Sequence, residues 1–305
     1  MKECFRDKAF SSSKLDRIEL INEIIEDYAA QDLALTLRQL YYQLVSRDVI
    51  PNQEREYKNL GKLLSDARLA GLVDWDAIED RVRRPVQWAE FDEVQDCVDD
   101  AVRHFRLPRW NGQEEYVELW VEKDALANVL QPIAAKWHVT MMVNRGYSSQ
   151  SAMYAAAQRF INGTNQSWHD DARTVANADR RGTLLYLGEH ARSGEDMVRD
   201  VKDRLEMLGV YGLGVHKLAL TMEQVQHFNP PPNPAKLSDS RASGYVAKHG
   251  SSSWEVDALP PRELTRIIEE AIKGCVDVDL MNKIIAEEDR QKAALKKAMK
   301  SMEKK

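Results

Sequence analysis

A chain of 305 residues with 43% hydrophobic content is long enough for a sizeable core and for two domains. Its longest apolar runs fall far short of the roughly 18 residues a membrane span needs. The first residues, MKECFRDKAFSSSK, lack the apolar core of a secretory signal, so no membrane association and a cytoplasmic location are expected. A formal net charge of -6 argues against coating nucleic acid by bulk attraction, and the scattered Cys4, Cys97 and Cys275 suit reduced thiols rather than a zinc site.

The first region reads as helical. LDRIELINEIIEDYA puts Leu15, Ile18, Leu20, Ile21, Ile24 and Ile25 near one face, the pattern of an amphipathic helix. In TLRQLYYQLVSRDVI, Thr36 suits an N-cap, and Leu37, Leu40, Tyr41, Leu44 and Val45 recur at helical spacing. A third helix runs through YKNLGKLLSDARLAGLV, with Leu60, Leu63, Leu64 and Ala67 on one side and Gly71 at its end. Short helices followed by a compact turn resemble a winged helix, a helix-turn-helix variant that lays one helix against DNA. Residues 84–112, rich in polar groups and Trp, read as a connector containing one helix. The boundaries drawn are 1–112 for a winged-helix domain with connector, 113–285 for an α/β domain and 286–305 for a basic helical tail, where Gln291 to Lys305 carry six lysines and one glutamate.

From residue 116 the pattern changes. YVELWVEKDAL begins as a strand and becomes a helix, HVTMMVN reads as a second strand and TLLYLGEH as a third, with helical SSQSAMYAAAQRFI and EDMVRDVKDRLEML between and after them. Strands alternating with helices predict a mostly parallel, Rossmann-like sheet, which carries its site at the carboxyl ends of the strands. Those ends hold Glu122-Lys123-Asp124, then Asn144-Arg145-Gly146-Tyr147, then Glu189-His190 with Glu195 and Asp196 after a Ser193-Gly194 turn. Carboxylates converging from separate strands repel one another unless a cation lies between them, and hard oxygen ligands suit Mg²⁺; the same acids also serve as helix caps.

Val121-Glu122-Lys123, Arg145-Gly146-Tyr147 and Leu187-Gly188-Glu189-His190 with Ser193-Gly194 resemble, in order, the TOPRIM domain of the topoisomerase VI A subunit and its meiotic break-forming relatives. Thr36 to Tyr42 is similar to that family's tyrosine-bearing segment in a winged-helix domain, and Trp254 to Pro261, WEVDALPP, resembles a stretch near the end of such TOPRIM domains. The resemblance implies Mg²⁺-dependent (or Mn²⁺-dependent) DNA cleavage by a tyrosine transesterase, a homodimer and a separate ATPase subunit. A Gly-rich Lys-Ser/Thr ATP-binding motif is absent from this chain.

Carried over by position, Tyr42 is the nucleophile, with Arg38 one helical turn before it to contact phenolate or phosphate. Glu122 is the first metal-binding acid, and Glu189 stands at the first position of an Asp-x-Asp motif. Ala191 occupies the second, so one ion rather than two is expected, with Glu195 or Asp196 compensating. Lys123, Arg145 and Arg192 are expected to contact DNA, and His190 serves as ligand, base or loop residue. Glu255 and Asp257 alternate along a predicted short strand, as a second ligand set or a polar solvent face. His227 to Leu259, with Pro230 to Pro232, reads as a long loop that covers the sheet edge or whose Asn233, Lys236, Asp239 and Arg241 meet a partner or DNA. Two other readings stay open: a TOPRIM nuclease of a mobile element or defence system that uses metal-bound water, and a catalytically degenerate DNA-binding or assembly protein.

Overall fold

The computed structural model describes residues 2–31, 33, 35–78, 88–144, 146, 148–165, 179–234 and 252–302. Arg145, Tyr147, Lys236, Asp239, Arg241 and the basic run 81–84 lie outside that set, as do the side chains of Arg192 and Glu195.

Three helices form the N-terminal unit: α1 (Ser12–Ala29), α2 (Leu37–Ser46) and α3 (Glu54–Leu69). The apolar stripe of α1 buries Ile18, Ile21, Ile24, Ile25 and Tyr28. Leu20 packs at the margin and Leu15, in the first turn, stays 45% exposed. Thr36 caps α2 in a capping box, its hydroxyl accepting from the Gln39 amide while the Gln39 side chain accepts from the Thr36 amide. This cap fixes where α2 begins, and hence which way Arg38 and Tyr42 face. Leu60, Leu63, Leu64 and Ala67 of α3 close the core against α1 and α2. Gly71 follows at φ +74°, and a Cβ there would lie 3.0 Å from the Cys4 backbone nitrogen, so the turn requires glycine. The described residues of this unit hold isolated bridges, Cys4 to Ala70 and Leu35 to Ile78, and no hairpin.

After α4 (Val94–His104), the connector helix, come β1 (Glu115–Val121), α5 (Ala127–Trp137), β2 (Thr140–Val143), α6 (Gln150–Thr164), β3 (Arg181–Leu187), α7 (Arg192–Met207), β4 (Gly214–Ala219) and α8 (Met222–Phe228). The four strands pair in the order β2-β1-β3-β4, all parallel, the α/β arrangement of a Rossmann-like domain. Side chains of β1 alternate between two cores. Val117, Leu119 and Val121 pack with α5 and the helix Pro261–Lys273; Trp120 packs with α6 and α7. A sheet covered on both faces explains why β1 and β3 read as nearly continuous apolar runs. Glu118 interrupts β1, and its fully buried carboxylate accepts from Arg159 (2.8 and 2.9 Å), Tyr116 Oη (2.8 Å) and Trp120 Nε1 (2.7 Å).

Several boundaries differ from the sequence reading. β2 starts at Thr140 because α5 ends on His138 in the left-handed region (φ 51°). β3 stops at Leu187, leaving Glu189 and His190 in the following loop. Ser193 and Gly194 belong to the first turn of α7 rather than to a turn before it, with extended Ala191 as the N-cap. β4 is an additional strand. Antiparallel Asn233–Pro234 and Ser252–Ser253 bring together the two ends of segment 235–251. The last helix, Val278–Met302, runs unbroken through position 286 and is held to the connector by buried Glu288, which pairs with Arg109 at 3.0 Å and Lys292 at 2.7 Å. Among the described residues no helix is long and apolar enough to cross a membrane.

Candidate functional site

The site forms where the carboxyl ends of β1 and β3 face the N-terminal end of α2. Glu122 is one residue past β1 and still pairs with β3, its amide donating to Leu187 O at 2.9 Å. Its side chain turns under the β3 loop, where Oε2 accepts from the Glu189 amide at 3.1 Å. Gly188 makes the approach possible: a Cβ there would lie 3.0 Å from Glu122 Oε2 and 2.6 Å from Tyr186 Cε1. Burial, reinforced by the neighbouring Glu189 charge, pushes the Glu122 carboxyl up to about 7.

Lys123 points to the other side of the loop. Its Nζ lies 2.7 Å from Glu189, 2.8 Å from Glu255 and 3.4 Å from Asp257, so three carboxylates surround one ammonium. Burial opposes that charge, but the three acids more than offset it and raise the Lys123 pKa. The backbone carbonyl of Glu189 accepts from Lys217 Nζ on β4 at 2.9 Å.

Arg38 arrives from the N-terminal unit. Its Nη2 donates to both Glu255 oxygens at 2.9 Å, and Nε to Asp257 at 3.3 Å. The Tyr42 hydroxyl accepts from Arg38 Nη2 at 3.5 Å, and the guanidinium lies 5.6 Å from the Tyr42 ring centroid. Tyr42 is buried and its hydroxyl also interacts with Glu255; burial and that acid raise the phenol pKa, against the opposing effect of Arg38. Tyr41, beside it, donates to Asn52 at 3.0 Å and stays within the helical unit.

Glu255 and Asp257 form neither a strand nor a solvent face. Glu255 precedes a single 3₁₀ turn, Val256–Ala258, whose Val256 joins the core with Leu259, and that burial drives both acids against Arg38 and Lys123. The turn is positioned by His190 and Trp254, which exchange backbone hydrogen bonds at 2.9 and 3.0 Å and stack their rings at 5.9 Å. His190 is therefore buried against Trp254 instead of projecting beside the acids. Burial disfavours ionisation of Glu255, but Lys123, Tyr42 and Arg38 more than compensate and hold it down to about 2. Asp257, with its side chain wholly enclosed, is raised by burial.

Arg38, Glu122, Lys123, Asp124, Ala125 and Gly146 line a cleft of about 360 Å³. Five of the residues expected from sequence, Arg38, Tyr42, Glu122, Lys123 and Glu189, thus meet at one locus. Of the others, Arg145 lies outside the described residues, and Arg192 and Glu195 are placed only as first-turn positions of α7. Among the described residues no three His, Cys, Asp or Glu side chains are arranged to hold a metal.

No protein-family model matches the chain, and no curated protein matches it.

Sequence reasoning missed the inward turn of Glu255 and Asp257, although flanking Val256 and Leu259 signalled that the stretch is buried. It also missed Lys217, because β4 was not recognised.

Proposed function

We propose that this chain is a DNA-cleaving enzyme resembling a stand-alone topoisomerase VI A subunit, with a winged-helix unit and a TOPRIM domain acting on one DNA phosphodiester. The observation that carries the reading is that α2 brings Tyr42 and Arg38 against the same acids that surround Lys123, beside Glu122. Short-range sequence pattern does not require that meeting.

Glu122 and Glu189 suit a hard divalent ion, Mg²⁺ or Mn²⁺: a buried carboxylate raised to about 7 by its setting and an adjacent acid is a donor pair that added positive charge stabilises. Such an ion supplies Lewis-acid stabilisation of the phosphate's developing charge. The chain's own residues do the rest. Arg38 and Lys123 present donors to the phosphate oxygens. Tyr42 Oη gives up its proton and attacks phosphorus, the bond to the leaving sugar oxygen breaks as that oxygen takes up a proton from solvent, and the DNA end is kept as a phosphotyrosine ester ready for religation. Arg38 is placed to stabilise the phenolate against the burial that opposes it. Homodimerisation and a separate ATPase subunit belong to this reading.

A second reading is favoured by the same pKa shifts. A buried phenol facing an acid is a reluctant nucleophile, whereas a carboxylate near 7 is suited to take a proton from water, as a nuclease of this kind requires.

The deciding experiment is cleavage of supercoiled plasmid with Mg²⁺ or Mn²⁺, followed by denaturing gels. The transesterase predicts protein covalently attached to cut DNA and complete loss with Tyr42→Phe. Cut DNA free of protein, made equally by Tyr42→Phe, selects the nuclease. Salt-sensitive binding without cutting under either cation leaves a DNA-binding or assembly protein. Glu122→Ala is expected to weaken Mg²⁺ binding measured by calorimetry; equal affinity removes Glu122 from the site.

A further inference from the structure

The three groups that would meet a DNA phosphate share one partner. Both Glu255 oxygens accept from Arg38 Nη2 at 2.9 Å, one lies 2.8 Å from Lys123 Nζ, and the carboxylate interacts with the Tyr42 hydroxyl. Two oxygens sharing one negative charge, bracketed by a guanidinium and an ammonium and faced by a hydroxyl, reproduce what the two non-bridging oxygens of a phosphodiester would engage. We propose that Glu255 is a built-in phosphate mimic that occupies the anion position between Arg38 and Lys123, and that a DNA phosphodiester binds there by displacing it. The proposal rests on the reading of this cleft as a DNA-phosphate site.

Charge makes displacement the favourable route. Glu122, Glu189, Glu255 and Asp257 already crowd the locus, so a phosphate added to them meets repulsion, while a phosphate exchanged for Glu255 leaves the local charge unchanged. The cations keep their positions during the exchange, because Asp257 holds Arg38 at 3.3 Å and Lys123 at 3.4 Å from the enclosed side. Glu255 is the outer acid of the pair, with 17% of its side chain exposed against none for Asp257. A carboxylate held ionised is an effective competitor, which gives the contact an inhibitory role until DNA arrives.

The test is fluorescence anisotropy of a labelled DNA duplex in a chelating buffer at low and moderate salt, with folding checked by thermal unfolding. Glu255→Gln keeps the shape and removes the charge, and is expected to bind DNA about tenfold more tightly, the gain being lost when Lys123→Ala or Arg38→Ala is added. Glu255→Asp, one methylene shorter, is expected to show a smaller gain in the same direction and serves if the glutamine variant does not fold. Equal or weaker binding by a folded variant overturns the mimic. Wild type that binds this duplex, and cuts plasmid once Mg²⁺ or Mn²⁺ is supplied, with no gain in either variant, overturns the mimic alone and leaves the DNA reading standing. If no variant binds DNA, but orthophosphate raises the melting temperature of Glu255→Gln more than that of wild type, the DNA reading fails and the masked phosphate position stands.

Discussion

Glu118 and Glu122 lie four residues apart along one segment of chain, both removed from solvent, yet they are opposite kinds of buried acid. Glu118, inside β1, is saturated: Arg159, Tyr116 and Trp120 donate to both of its oxygens. Glu122, just past the strand end, takes one backbone donor, faces another acid and borders a cleft. A buried carboxylate whose donors are all supplied by its own fold has no charge left to offer, so its contribution is to structure. One that is under-compensated and reachable is held in a costly state that a ligand can relieve. The difference comes from strand geometry: mid-strand side chains are sealed between sheet and helices, whereas the carboxyl ends of parallel strands open onto loops.

The largest effect that can break this contrast is Glu118→Ala. It leaves Arg159 without its carboxylate and the buried Trp120 Nε1 unanswered, and is expected to cost about 3–5 kcal/mol in urea unfolding. Glu122→Ala is expected to cost far less, about 1 kcal/mol or under, because the acid is poorly compensated to begin with. Equal losses at the two positions erase the distinction. Next in size is Gly188→Ala. Its Cβ would press on the Tyr186 ring and on Glu122 Oε2, so about 1–3 kcal/mol should be lost by the same measurement, together with a displaced Glu122.

The pH dependence sharpens the comparison further. An acid whose pKa in the fold lies above its unfolded value binds more protons when folded, so its contribution to stability falls as pH rises from about 4.5 to about 7. In chelating buffer, Glu122→Gln should therefore match wild type near pH 4.5 and exceed it by about 1–3 kcal/mol above pH 7. A difference independent of pH would place Glu122 in the same class as Glu118. The smallest expected effect is at the exposed pair Lys58 and Glu54, 2.8 Å apart on α3, where Lys58→Ala should leave the urea midpoint unchanged. A loss there would show that surface charge, not enclosure, governs these energies.

Local signals made much of the fold legible. Helical spacing in α1 to α3 and the Thr36 cap reveal the first unit, and the apolar runs of β1 and β3 reveal the sheet, because period and capping are properties of neighbouring residues. β4 escaped detection because Gly214, His216 and Lys217 interrupt its apolar pattern at a sheet edge, where such side chains are tolerated. The start of α7 was misjudged because Ala191 carries no capping side chain. Glu122, Lys123 and Glu189 were legible as candidates because several charged groups fall together at predicted strand ends, and Arg38 and Tyr42 because their helix resembles a tyrosine-bearing segment. What joins them was not: Arg38 meets Glu255 across 217 positions of sequence, and only the packing of Val256 and Leu259 decides that the intervening acids turn inward.

That packing also determines how fast the cleft can change hands. Val256 and Leu259 pin the main chain on either side of Asp257, and the paired bonds between His190 and Trp254 fasten the residue before Glu255. The backbone is thereby locked while the outer carboxylate hangs on rotatable bonds. Its departure is a swing about side-chain torsions limited by breaking the contacts to Arg38 and Lys123, with no loop to refold and no helix to shift.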